Sequence, residues 1–280
     1  MLRERITSQR KNMTPGQTLV ANYILEYPRE AAFLTASQLG KRVGVSETTV
    51  LRLAHLLEFS GYQEMRSTMA NLLMNHLSTL ERLKDYESAQ EYDFFERAIR
   101  KDLETLTLAL SNISSKDLNR LGEAMAKADA VYLAGYRSSF SLTYYLSFYL
   151  SWILPNVKNV SLDMPFEMLA NAPSGSIVLG ISFPRYSSWT VQVLETAAKL
   201  GLTTAAVTDN LASPLARQNY VLAVPYKPVS FIDSFAAPMS VLNCLILSVA
   251  QHLGENVTEK LGMLERCWRE DEVYTNQKEL

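Results

Sequence analysis

Over the first quarter of the chain, hydrophobic positions recur at intervals of three and four; later they gather into short continuous runs between helical stretches. Thr14-Pro-Gly-Gln17 has capping-box spacing with Pro15 at the first helical position. The helix it opens carries Leu19, Tyr23, Ile24 and Tyr27 on one side and stops before Pro28. Glu30 to Leu34 reads as a short turn. Thr35 and Gln38 repeat the box, Leu39 and Val43 share a face, and Gly44 ends that helix as a residue free to take positive φ. Ser46 caps the next helix, in which Val50, Leu53 and Leu57 recur at three and four. Small Gly40, then the Gly44 turn, then Val45, Val50 and Leu53 is the order a helix-turn-helix needs, because its crossing helices approach closely at a small residue. A plain helical hairpin has the same spacing. Ser60-Gly-Tyr-Gln63 opens one more helix with Met65, Met69, Leu72, Leu73 and Leu77 on its apolar side, giving a bundle of about five helices that ends near residue 77.

Residues 78–93 are polar and read as a helical or semi-rigid connector, with one long helix into the second domain as the alternative. From Phe94 the pattern changes. Ile99, Leu103, Leu106 and Leu110 make an amphipathic helix, and a second helix spans Ser115 to Lys127. The apolar runs Ala130–Ala134, Val157–Leu162, Ser176–Ser182, Thr203–Thr208 and Tyr220–Val224 then alternate with helices. Continuous apolar strands between helices imply a parallel sheet covered on both faces, and five of them suggest a flavodoxin-like doubly wound order. The aromatic helix Phe140–Leu154 is too short and too polar to span a bilayer. It is expected to press on the sheet with one side and on another subunit with the other; full burial within the monomer is the alternative. The expected architecture is an all-α helix-turn-helix domain over 1–77, a connector over 78–93, and an α/β doubly wound five-stranded parallel-sheet domain over 94–280.

Net charge is only −2 over 280 residues, so no global field draws the chain to nucleic acid. Residues 1–76 nevertheless carry nine Lys and Arg against six Glu, a local basic bias of the right sign. Cys244 and Cys267 have no metal spacing, and His55, His76 and His252 are scattered, so neither a metal site nor a cofactor is expected. The opening MLRERITSQR is charged and lacks an apolar core, which points to a cytoplasmic protein with no membrane partner.

In a DNA-reading helix-turn-helix, the first turn of the second helix meets base edges. The candidates are Ser46, Glu47, Thr48, Thr49 and, one turn on, Arg52. In doubly wound folds, small molecules bind at the carboxyl ends of the strands. Two strand ends here carry hydroxyls and an arginine: Gly135-Tyr-Arg137-Ser138-Ser139, and Ser182-Phe-Pro-Arg185-Tyr-Ser187-Ser188-Trp-Thr190. Each leads into a helix N-terminus, where free N–H groups favour an anion, and arginine adds a bidentate fork. The competing reading makes the Ser and Thr plain caps and the arginines surface residues. A third loop, Thr208-Asp209-Asn210 to Ser213-Pro214, is expected to cap a helix. Phe231-Ile-Asp233-Ser234, ahead of a helix over Ala236–Leu253, either closes over a ligand from the side or caps that helix.

The stretch TPGQTLVANYILEYPREAAFLTASQLGKRVGVSETTVLRLAHLLEFSGYQE, above all GVSETTVLR followed by FSGY, resembles the RpiR/MurR family of bacterial transcription regulators. The remainder resembles the sugar isomerase (SIS) domain of those regulators, through the turn at Gly135–Ser139, the turn at Ser187–Thr190, and AAVTDNLASPLARQ. The resemblance implies a homodimer or homotetramer that binds double-stranded DNA over an inverted repeat and senses a sugar phosphate or related small anionic effector. By position, Ser138, Ser139, Ser187 and Thr190 match the family's phosphate-contacting loops, and Ser46, Thr48, Thr49 and Arg52 match its DNA-reading helix. Arg137 and Ser188 stand where the family often has glycine, which narrows the backbone's approach to a ligand. The family's basic pair after Arg52 is His55-Leu56 in this chain.

The rival function is a sugar-phosphate isomerase with a helical appendage. It needs a general base near the sugar. Glu167 and Glu195 are the plausible carboxylates, and no histidine falls in residues 77–251, so a non-catalytic regulator is the expectation.

Overall fold

The computed structural model describes residues 2–66, 68–69, 78–88 and 93–275, and the chain divides into two compact units, Met1–Asp85 and Tyr86–Leu280. The first unit holds α1 (Leu2–Gln9), a 3-10 turn (Arg10–Asn12), α2 (Pro15–Glu26), α3 (Pro28–Phe33), α4 (Ala36–Val43) and α5 (Glu47–Leu56). The capping boxes at Thr14 and Thr35 both form, with side chain and backbone bonded reciprocally to Gln17 and Gln38. The expected turn at Glu30–Leu34 is instead mostly helix α3. Pro28 stops α2, and it also supplies the preset φ for the first position of the next helix.

Helix α1 was not foreseen. Its charged text hides Leu2 and Ile6, which are buried in one core with Val20, Ile24, Leu39 and Leu53. Arg5 donates to the carbonyls of Leu57 at 2.9 Å and Glu58 at 3.2 Å, beyond the last turn of α5, where a cation suits the helix dipole. Residues 62–66 and 68–69 are helical, with Met65 and Met69 buried. The partner of Ser60 is Glu64 rather than Gln63: both the N–H and Oγ of Ser60 donate to Glu64 Oε2, at 2.7 and 2.8 Å. The expected positions Leu72, Leu73 and Leu77 lie outside the described residues. Helix α6 (Thr79–Ser88) starts at a Ser78–Glu81 box and contains the division between the units.

The second unit begins with α7 (Phe94–Asn112) and α8 (Ser115–Lys127) and continues β1 (Val131–Ala134), α9 (Phe140–Ile153), β2 (Val157–Asn159), α10 (Pro165–Ala170), β3 (Ile177–Ile181), α11 (Ser188–Lys199), β4 (Thr203–Thr208), β5 (Tyr220–Ala223), α12 (Ala236–Leu253) and α13 (Glu255–Glu270). The five strands pair in parallel in the order β2-β1-β3-β4-β5. Alternate residues face opposite layers. Val131, Leu133, Leu179 and Val207 pack with Leu121 of α8, Leu146 of α9 and Leu245 of α12. Tyr132, Ala134, Val178 and Ala206 pack with Leu169 of α10 and with Val193 and Ala197 of α11.

Two expectations are corrected. The second strand is confined to Val157–Asn159, and no helix follows Ser213. There, Ser213 Oγ accepts from the Leu215 N–H at 3.1 Å in a turn, and buried Leu215 covers the sheet where a crossover helix would otherwise lie. Helix α12 is long and apolar enough to cross a membrane by composition, but Ala237, Val241, Leu242, Leu245 and Val249 belong to the core.

Candidate functional site

In the first unit the turn between α4 and α5 is fixed by geometry that only glycine permits. Gly44 sits at φ +78°, and a Cβ on Gly40 would lie 2.8 Å from the Val45 carbonyl oxygen. Ser46 caps α5 by accepting from the Thr49 N–H at 3.2 Å, and its Oγ lies 2.9 Å from Thr49 Oγ1. Thr49 is half-buried against Gly16 at the start of α2. Two of the five candidate DNA contacts, Ser46 and Thr49, therefore build the turn. Glu47, Thr48 and Arg52 form the exposed outer face, joined there by Leu51 and His55, which fall on the same side at helical spacing. Lys41 and Arg42 end α4 and are exposed, Arg42 being paired with Glu30 at 2.8 Å.

In the second unit the chain leaves β1 for β2 on one side and takes up β3 on the other. The crevice above β1 and β3 is thus the point where the winding reverses, which is where ligands bind in open α/β sheets. Both candidate loops leave these two strands. After β1, Gly135 lets the chain pass close to its neighbours, since a Cβ there would lie 2.6 Å from Thr143 and 2.9 Å from the Ser139 carbonyl. Arg137–Ser139 then forms a 3-10 turn running directly into α9, with Arg137 and Ser138 exposed and Ser139 buried.

After β3, the Ser187 N–H donates to Ser182 Oγ at 3.0 Å, and Ser187 heads α11 without capping it through its side chain. The first N–H groups of α11 are left for an outside acceptor. Thr190, in that first turn, is fully buried, and its Oγ1 has no hydrogen-bond partner among the described residues. Ser188 and Arg185 are exposed. Arg137 at φ +56° and Arg185 at φ +69° are both left-handed, a conformation glycine adopts without strain.

Asp209, expected only in a capping loop, Asp233, from the segment expected either to close over a ligand or to cap, and Tyr226, not foreseen, join this crevice. Asp209, at the end of β4, accepts from Tyr186 OH at 2.7 Å and from Asn210 at 2.5 Å, and burial raises its carboxyl above the ordinary range despite those bonds. Ser138 Oγ donates to Asp233 Oδ2 at 2.6 Å, and Tyr226 OH donates to Asp233 Oδ1. Phe183, from the loop after β3, stacks on Tyr226 with ring centroids 5.2 Å apart. No signal in the sequence pairs Ser138 with a residue 95 positions on. Glu167 and Glu195 are both exposed.

Comparison with known proteins gives two family matches in one chain. The model of the rpiR-family helix-turn-helix domain matches residues 1–76, and that of the SIS domain matches residues 124–248. An uncharacterized HTH-type transcriptional regulator of Caldanaerobacter subterraneus subsp. tengcongensis is 23% identical over 274 residues, covering 92% of this chain and 96% of the relative. Among solved structures, the sugar isomerase domain of an RpiR transcription factor from Sphaerobacter thermophilus is 26% identical, with a TM-score of 0.57 over 60% of this chain and 96% of that one. The Vibrio vulnificus NanR protein complexed with ManNAc-6P shares the fold from end to end, with a TM-score of 0.60 at 18% identity, covering 99% and 100% of the two chains.

Proposed function

We propose, from the premise that this chain is an RpiR-family transcription regulator with a helix-turn-helix domain joined to a SIS domain, that its SIS crevice senses a small anionic sugar derivative and so sets how the head grips double-stranded DNA. One observation carries the effector half: the start of α11 is not capped by a side chain, and the buried Thr190 hydroxyl beside it has no partner. A phosphate or carboxylate supplies the acceptors that these donors lack, at the positive end of a helix dipole. Arg137, Ser138, Ser139, Arg185, Ser187 and Ser188 stand on the loops that leave two adjacent strands and would line that position. That NanR, which shares this fold, was solved with ManNAc-6P favours a sugar phosphate as the class.

Glu47, Thr48 and Arg52 read the duplex, while Ser46 and Thr49 hold the turn. The protein works as a homodimer or homotetramer in the cytoplasm, two heads spanning successive major grooves of an inverted repeat, roughly 34 Å or a multiple apart. A regulator rather than an isomerase is favoured because the relatives it matches are named transcriptional regulators, and the two carboxylates offered as a general base, Glu167 and Glu195, are solvent-exposed. The test is a thermal-shift screen of ManNAc-6P, other sugar phosphates and small organic acids on the full chain, repeated with Thr190→Val, Arg137→Ala and Arg185→Ala. At least one anionic sugar should raise the melting temperature, and the substitutions should abolish or shrink that rise. If all three variants keep every ligand-induced shift, the crevice is not the sensor.

A further inference from the structure

The segment 225–235 joins β5 to α12, and it touches three things at once. Its Asp233 takes the Ser138 hydroxyl at 2.6 Å, the same hydroxyl that the crevice offers to an effector. Its Tyr226 donates to the other oxygen of Asp233 and stacks on Phe183 of the second crevice loop, while Phe235 lies 5.7 Å from the same ring. Its Ser234 and Lys227 donate to Asp102 and Glu104 of α7. Helix α7 is the element through which the SIS unit takes up the chain coming from the DNA-binding head, and its Arg97 holds the end of α6 through the Tyr86 carbonyl at 2.9 Å and the Tyr86 ring at 3.9 Å.

A carboxylate hydrogen-bonded to the loop that is meant to receive an anion is a like charge in the way. An incoming phosphate cannot share the Ser138 hydroxyl with Asp233 without repulsion, because two anions at hydrogen-bond separation disfavour each other. Asp233 must therefore swing away or the ligand must bind more weakly. Ser234 is the next residue, so backbone motion that releases Asp233 also pulls on the bond to Asp102.

We propose that Asp233 is a tethered carboxylate occupying the effector's place at Ser138, and that its displacement is passed to α7 through Ser234–Asp102 and Lys227–Glu104. The proposal rests on the anion-site reading given above. It makes Asp233 a determinant of effector affinity and Ser234 a coupling residue that does not touch the ligand. The affinity for an anion is lowered by the fraction of molecules in which Asp233 holds the hydroxyl.

The probe is inorganic phosphate, titrated against the full chain at matched ionic strength, with hydrogen exchange of peptides from α7 read in parallel. Asp233→Ala and the isosteric Asp233→Asn should each bind phosphate about tenfold more tightly than the unaltered protein, the equivalent of removing one charge-assisted hydrogen bond that the ligand must displace. Phosphate should speed exchange across residues 102–106 in the unaltered protein. In Ser234→Ala that stretch should exchange fast from the start and no longer respond, and phosphate should bind several-fold more tightly, because binding no longer has to break the bond to Asp102. Thr190→Val separates the two claims. If Thr190→Val abolishes phosphate binding but neither Asp233 variant strengthens it, the crevice is an anion site and the tether is wrong. If phosphate binds neither the unaltered protein nor the Asp233 variants, the anion site itself fails and the tether with it.

Discussion

At the residue scale, the arginines of the crevice are held against their own preference. Arg137 and Arg185 are two of the four non-glycine residues with positive φ among those described. A left-handed L-residue is disfavoured by roughly 1–2 kcal/mol, and such strain persists only where surrounding structure or function fixes it. Arg137→Gly should therefore raise stability by about 1 kcal/mol, less a few tenths for the added freedom of the unfolded chain, and should weaken anion binding by removing the guanidinium. Denaturant titration and phosphate titration of the same variant check both signs; loss of stability would show that the side chain is a structural brace. The caps at Thr14, Thr35 and Ser46 were legible because a cap is written within four residues. The backbone angle of Arg137 and its neighbour's bond to Asp233 were not: the first follows from how the loop closes over β1, the second from a contact between segments 95 residues apart.

At the element scale, the two helices and the turn between them were the most readable part, since glycine spacing and caps fix them, although a plain helical hairpin shares that spacing. Gly40→Ala tests the close approach of α4 and α5. Its Cβ would lie 2.8 Å from a backbone oxygen, which cannot turn aside as a side chain can. The substitution should destabilise the head by about 1–3 kcal/mol, as overpacking does, and should weaken binding to duplex DNA, while the melting of the SIS unit is unchanged. Two melting transitions that shift together would contradict it. The elements misread have one cause. Helix α1 is polar apart from Leu2 and Ile6 and gains its place from tertiary burial. Helix α3 follows a proline that both ends and starts a helix. The missing helix after Ser213 is replaced by one buried leucine, Leu215. Local pattern reports periodicity, and none of these three is decided by periodicity.

At the scale of the whole molecule, α9 is buried on one side only and is not enclosed all round within the second unit. Leu142, Leu146, Leu150 and Ile153 are buried on the sheet side, whereas Phe140, Tyr144 and Phe148, spaced by four, are 50, 59 and 48% exposed. A stripe of three exposed aromatic rings is unusual on a core helix, and on the dimer proposed above a second copy presenting the same stripe would cover them by two-fold symmetry. Tyr144→Glu should then raise the dimer dissociation constant by at least about tenfold, because it places like charges opposite one another at the axis. Sedimentation velocity reads this directly. A second stripe on α7, with Phe95, Ile99 and Leu103 exposed, is a candidate for the further contact that a tetramer would need, and Ile99→Glu should then stop assembly at the dimer. If the proposed dimer links two heads, each alone would bind weakly, and joining them would multiply affinity for an inverted repeat by about 10²–10⁴. Tyr144→Glu should thus lose most of its affinity for the genomic fragment upstream of its own gene while the head remains folded. Unchanged binding by a demonstrably monomeric variant would mean that one head suffices, and that the oligomer serves the effector site instead.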